Sequence, residues 1–200
     1  MRLISLLFGL LILLSNFYVK AQKFGGGYIL AFSSTQIAGD RLSGFSKSGI
    51  ATGLFVSSKI KNKISAEMQM LLIQKGSRTK ANAEYFYKVT LNYIEVPINL
   101  RYNLNKRMSI YGGFGIAYLF KSIEKDIDGE IVYTPPFRKT ELAMQIGGNY
   151  LIKNNLYFDV RLSNSIIPIR KYGYGYPYMN FDQYNTGIYF GLKYFFSKEK

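Results

Sequence analysis

Apolar and polar residues alternate with period two over much of the chain. The pattern is clearest where Leu156, Phe158, Val160 and Leu162 interleave with Tyr157, Asp159, Arg161 and Ser163. It returns near the C-terminus, with Thr186, Ile188, Phe190, Leu192, Tyr194 and Phe196 on one face and Asn185, Gly187, Tyr189, Gly191, Lys193 and Phe195 on the other. Successive side chains of a strand point to opposite faces, so such alternation marks strands with two unlike sides, and no 3.6-residue period runs long enough for a helix. The pattern predicts eight strands, at about 23–34, 48–58, 63–75, 88–103, 107–121, 139–152, 155–164 and 184–196.

The connections alternate in length. Lys59 to Asn62, Asn103 to Lys106 and Lys153-Asn154 are short and Asn-rich, as tight turns require, whereas Thr35 to Lys47, Gly76 to Tyr87, Ser122 to Arg138 and Ser165 to Gln183 are long. An even strand count with short turns at one end and long loops at the other is the pattern of an outer-membrane barrel, and strands of about ten residues suffice for a tilted crossing. The expected fold is therefore all-β, an eight-stranded antiparallel up-and-down transmembrane β-barrel in the cell outer membrane.

A soluble lipocalin-like barrel carrying a small apolar ligand would also alternate, and side-chain volume separates the two. One face is bulky: Phe24, Tyr28, Leu30 and Phe32, then Ile64, Met68, Met70 and Leu72, then Ile94, Val96, Ile98, Leu100 and Tyr102, then Ile110, Phe114, Ile116, Tyr118 and Phe120. The other holds Gly25, Gly27, Gly53, Gly113, Gly115, Gly147, Gly187 and Gly191. Eight strands enclose a space that side chains just fill, so the small set belongs inside and the bulky set faces lipid. Outward aromatics fall near both ends, with Phe24, Tyr102, Tyr150, Tyr194 and Phe196 by the short turns and Phe32, Tyr118, Phe120 and Tyr184 by the long loops, as two interfacial belts would.

The first residues carry a different pattern. Met1-Arg2, an apolar run from Leu3 to Leu14, and Val19-Lys20-Ala21 make a secretory signal peptide over residues 1–21, leaving residues 22–200 as the outer-membrane β-barrel domain. The run is too short for a spanning helix.

Composition then removes chemistry. The 200 residues include neither Cys nor His, which excludes thiol nucleophiles, His bases, disulfides and zinc sites built on those ligands. No enzyme activity and no cofactor is expected. With 26 Lys and Arg against 12 Asp and Glu the chain is strongly basic, yet no nucleic-acid recognition motif accompanies the charge. Anionic lipid headgroups or surface glycans are its expected counterpart. Gly112-Gly113-Phe114-Gly115 lies within a strand and opens no helix, so it is no phosphate cradle.

The inferred lumen face carries Glu67, Lys75, Glu95, Arg101, Glu141, Asp159, Arg161 and Lys193, four acids and four bases. Unpaired charge in a narrow lumen is costly, so equal numbers imply a mutually paired structural network that, with Tyr111, Tyr157 and Tyr189, plugs the barrel. Glu124, Asp126, Asp128 and Glu130 form an acidic cluster in a long loop. It lacks the ligand pattern of a defined calcium site and reads as solvated, so no metal is expected. The loop Lys171-Tyr172-Gly173-Tyr174-Gly175-Tyr176-Pro177-Tyr178 interleaves Tyr with Gly and Pro. Tyr172, Tyr174, Tyr176 and Tyr178 are the candidate partner contacts, set against a loop that packs on its own rings over the mouth.

Leu91-Asn92-Tyr93-Ile94-Glu95-Val96-Pro97-Ile98-Asn99-Leu100-Arg101-Tyr102, preceded by Leu72-Ile73-Gln74-Lys75-Gly76, resembles the paired signature of PorT-like outer-membrane β-barrel proteins of Bacteroidetes. The specific motifs cover about 25 residues, and the strand rhythm extends the resemblance over the rest of the chain. The resemblance implies an eight-stranded barrel and a link to type IX-like protein secretion. The expected product is a monomer that meets outer-membrane lipid, the outer-membrane assembly machinery during biogenesis, and an envelope or secretion protein partner. Pro97 removes a ladder donor within a central strand, so a bulge that re-aims Glu95 is expected there.

Overall fold

In the computed structural model the described residues are 24–40, 42, 44–80, 83, 85–131, 135–171 and 182–197. The leader expected over residues 1–21 lies outside them, as do Tyr172, Tyr174, Tyr176 and Tyr178.

The strands are β1 (Phe24–Ala38), β2 (Lys47–Lys61), β3 (Ile64–Arg78), β4 (Tyr87–Asn103), β5 (Met108–Asp126), the two-residue β6 (Gly129–Glu130), β7 (Thr140–Lys153), β8 (Leu156–Ser165) and β9 (Tyr184–Ser197). β6 folds back on the end of β5 as a small hairpin and takes no part in the wall. The other eight strands pair antiparallel with their sequence neighbours, and pairing of β1 with β9 closes the sheet into a barrel. Closure matters because no sheet edge is left to face lipid with unpaired backbone groups.

The two faces sort as their volumes require. Phe32, Met70, Ile98, Ile116, Ile146 and Phe196 are exposed on the outside, while the glycine-bearing face is turned inward. A soluble carrier would need the reverse, with its bulky apolar face inside. Among the expected belt residues, Phe24, Phe32, Tyr102, Tyr118, Phe120, Tyr150, Tyr194 and Phe196 are exposed, whereas Tyr184 is half-buried.

Two expectations are corrected. The strands outrun their anticipated ends on the long-loop side, where β1 continues to Ala38, β3 to Arg78 and β5 to Asp126. These polar extensions carry the wall above the apolar band, where water replaces lipid and alternation loses its hydrophobic contrast. The expected bulge at Pro97 is absent: the β3–β4 ladder keeps one register on both sides of it, Pro97 faces Gly115 in regular β4–β5 pairing, and Glu95 still points inward. The ladder accommodates the missing donor locally, leaving Gln69 and Met70 unbridged to Pro97 and Val96.

A bulge instead sits further along the β4–β5 pairing. Asn92 pairs with Lys121 and Tyr93 with Leu119, so β5 carries one extra residue, Phe120, and the inward set changes parity beyond it. Gly76 next to Lys75 has φ +141°, and a Cβ there would stand 2.1 Å from the Val89 carbonyl oxygen. Only glycine fits that approach of β3 to β4.

Candidate functional site

All eight charged residues anticipated in the lumen are inward and buried. They do not form four simple pairs. Six of them form two three-membered clusters of opposite excess charge, separated along the barrel axis, with Asp159 and Arg161 between.

The lower cluster, toward the short turns, centres on Glu67 of β3. Lys193 of β9 reaches both of its oxygens, and Arg101 of β4 approaches Oε2 at 3.3 Å. Gln69 donates to Oε1 at 2.7 Å. Aromatic rings line the cations: Phe55 and Phe195 meet edge to face at 4.7 Å, the Lys193 ammonium lies 4.3 Å from the Phe55 centroid, and Arg101 lies 5.4 Å from that of Phe195. One carboxylate thus serves two bases.

The upper cluster inverts this stoichiometry. Lys75 of β3 donates to Glu141 of β7 at 2.8 Å and stands 2.8 Å from Oε2 of Glu95 of β4, the second contact being an ion pair without hydrogen-bond alignment. Glu141 also accepts from Ser165 at 3.1 Å and from Asn185 at 2.7 Å. Here one base serves two carboxylates.

Asp159 and Arg161 occupy the middle, and neither is held by a direct ion pair among the described residues. Asp159 accepts from the Tyr111 hydroxyl at 2.8 Å. Arg161 donates at 3.3 Å to each of Gln69 and Gln145 and lies 4.6 Å from the Tyr189 ring centroid. Both remain electrostatically coupled to the clusters, Arg161 to Glu95 and Asp159 to Lys193. The middle charges therefore offset the excess of each cluster: Arg161 the surplus carboxylate above, Asp159 the surplus base below. Amides and tyrosines complete the hydrogen bonding, which is what makes buried charge tolerable.

The long-loop mouth holds a pair not anticipated from sequence. Arg170 donates to both oxygens of Glu124, Tyr87 donates its hydroxyl to the same carboxylate, and the guanidinium lies 3.6 Å from the centroid of buried Phe137. Glu124 is therefore not part of a solvated acidic loop: the extra residue Phe120 turns it inward, while Asp128 and Glu130 stay exposed on the β5–β6 hairpin. Among the described residues no group of acidic side chains is arranged to hold a metal ion. Ile37, Val89, Leu119 and Ile169 pack under this lid with Phe137. Chemically, the arrangement fills the lumen with fixed, neutralised charge and caps it with an apolar layer.

No curated protein matches the chain in sequence. Among solved structures, the attachment invasion locus protein Ail of Yersinia pestis in complex with the heparin analogue sucrose octasulfate is similar at 15% identity and TM-score 0.55. The match covers 87% of this chain and 99% of that one. A second structure of Ail from Yersinia pestis is similar at 14% identity and TM-score 0.55, with the same coverage. These likenesses concern the fold, that of a small bacterial outer-membrane barrel. Residues 20–171 match the family described as outer membrane protein beta-barrel domain. With a closed wall, an apolar exterior and three quarters of its sequence within that match, the chain belongs to the outer membrane protein beta-barrel domain family.

Proposed function

We propose that this outer-membrane protein works by contact rather than by transport, as an envelope component that binds a protein partner at its surface loops and is associated with protein secretion of the type IX kind. The charged network that fills the lumen carries this reading: an interior occupied by Glu67, Lys75, Glu95, Arg101, Glu141, Asp159, Arg161 and Lys193 has no passage to offer a solute, so function falls to the mouths. The PorT-like motifs around Lys75-Gly76 and Glu95-Val96-Pro97 support the secretion link. Signal-peptide cleavage after Ala21 and a monomeric barrel belong to the same proposal. Tyr172, Tyr174, Tyr176 and Tyr178 supply the contact surface, since rings on Gly- and Pro-spaced loops give large contact area at low ordering cost.

Replacing those four tyrosines with Ser tests this. Cross-linking pulldowns are compared at matched outer-membrane levels of the two versions. Loss of one specific partner with unchanged barrel folding is expected, and full partner recovery by the Ser version contradicts the proposal.

A further inference from the structure

The two ends of the barrel differ in a way that the contact role of the surface loops does not use. Among the described residues the long-loop mouth is capped, but the short-turn mouth is open: a cavity of about 640 Å³ enters the lumen there. Short turns of outer-membrane barrels face the periplasm, so this vestibule opens inward to the cell envelope. Its rim carries Lys59, Lys63 and Lys106, all exposed, and no Asp or Glu is among the described residues that line it. Arg101 forms part of its floor, where it shares Glu67 with Lys193, so a guanidinium lies beneath the rim lysines.

A second observation narrows the ligand. Asn149, which also lines the cavity, is 5% exposed and gives its amide N–H to Ser109 at 3.3 Å, while its Oδ1 is buried with no hydrogen-bond partner. A buried acceptor without a donor is costly unless a ligand or water supplies one. Ionised carboxylates have no hydrogen to give and inorganic phosphate at neutral pH has only its O–H, whereas a peptide backbone has an N–H at almost every residue. Lipid headgroups surround the barrel wall from outside, and the ring of turns stands between them and this axial opening.

We propose that the periplasmic vestibule binds an acidic peptide segment of another envelope protein. Its carboxylates meet Lys59, Lys63, Lys106 and Arg101, and a backbone N–H is donated to Oδ1 of Asn149 once that amide turns toward the cavity. The cavity volume accommodates a few residues, and Phe195 at the floor gives an apolar side chain a surface.

The test uses the purified barrel in phosphatidylcholine nanodiscs at low salt, with a fluorescein-labelled hexaglutamate peptide read by anisotropy. Hexaglutamine, inorganic phosphate and phosphatidylglycerol nanodiscs are the comparisons. Saturable hexaglutamate binding is expected, weakened about tenfold in the combined Lys59→Gln, Lys63→Gln and Lys106→Gln variant and about fivefold by Asn149→Leu. Heat-dependent gel migration checks folding, and the exposed lysine variant carries the test if Asn149→Leu does not fold. Absence of saturable binding overturns the proposal, as does equal binding of hexaglutamine. Displacement by equimolar phosphate would make the site a general anion site, and loss of binding in phosphatidylglycerol would make it a lipid site; either result also overturns it.

Discussion

The ammonium of Lys75 lies 2.8 Å from Oε1 of Glu141, across the lumen on β7, and 2.8 Å from Oε2 of Glu95 on neighbouring β4. Two walls of the barrel are thereby tied through one buried cation. Removing it leaves two buried carboxylates with only the more distant Arg161 as counter-charge. Lys75→Met should cost about 3–5 kcal/mol of unfolding free energy in detergent. Adding Glu95→Gln and Glu141→Gln should recover most of the loss. A single variant as stable as the parent would show that the lumen charges are individually solvated.

Arg161 should behave differently, because its direct acceptors are Gln69 and Gln145 rather than carboxylates. Arg161→Met strands amide oxygens, and the expected cost is about 1–3 kcal/mol, below that of Lys75→Met in the same denaturant series. A larger loss than for Lys75→Met would mean that the coupling of Arg161 to Glu95 and Asp159 outweighs its hydrogen bonds.

Neighbouring glycines should separate close approach from mere smallness. A Cβ on Gly113 would fall 2.0 Å from the Ile98 carbonyl oxygen, whereas one on Gly112 meets nothing nearer than the Gln145 carbonyl oxygen at 3.6 Å. Gly113→Ala should destabilise by about 1–3 kcal/mol, while Gly112→Ala should be close to neutral. Heat-dependent gel migration of the two variants, measured side by side, checks this; equal midpoints would rule out the tight β4–β5 approach.

In the β1–β2 loop, burial raises the Asp40 carboxyl above its ordinary range, against the lowering influence of the Ser77 side chain and the Leu42 backbone N–H. A folded-state acid with a raised pKa binds more protons than the unfolded chain, so its contribution to stability falls as pH rises through the window from about 3.9 to the raised value. Asp40→Asn keeps an oxygen for Leu42 and should be at least as stable as the parent at pH 7, the difference closing below about pH 4. Greater stability of the parent at pH 7 would show that the charged form is the favoured one.

The outward face was legible in the sequence because lipid enforces contrast: Ile94, Val96, Ile98 and Leu100 alternate with Glu95, Pro97, Asn99 and Arg101 without exception. Above the apolar band that pressure ends, and the extension of β1 through Gln36 and Ile37 has no comparable pattern to reveal it. The inward charges were legible as a set, since parity alone places them. Their partners were not, because Glu67 and Lys193 are 126 residues apart and meet only through the accumulated register of the closed sheet. Glu124 was hidden by the unpaired Phe120: a one-residue bulge reverses parity while the composition around it stays that of a loop.

Conductance tests the filled lumen most directly. The purified barrel is inserted into planar bilayers and recorded in concentrated KCl over a range of voltages. With both charge clusters in place and Phe137 and Ile169 under the long-loop mouth, the expected record shows no large steady current steps, and the Lys75→Met variant conducts more than the parent. Stable, large, voltage-independent openings of the parent protein would contradict a plugged barrel and return the molecule to the porins.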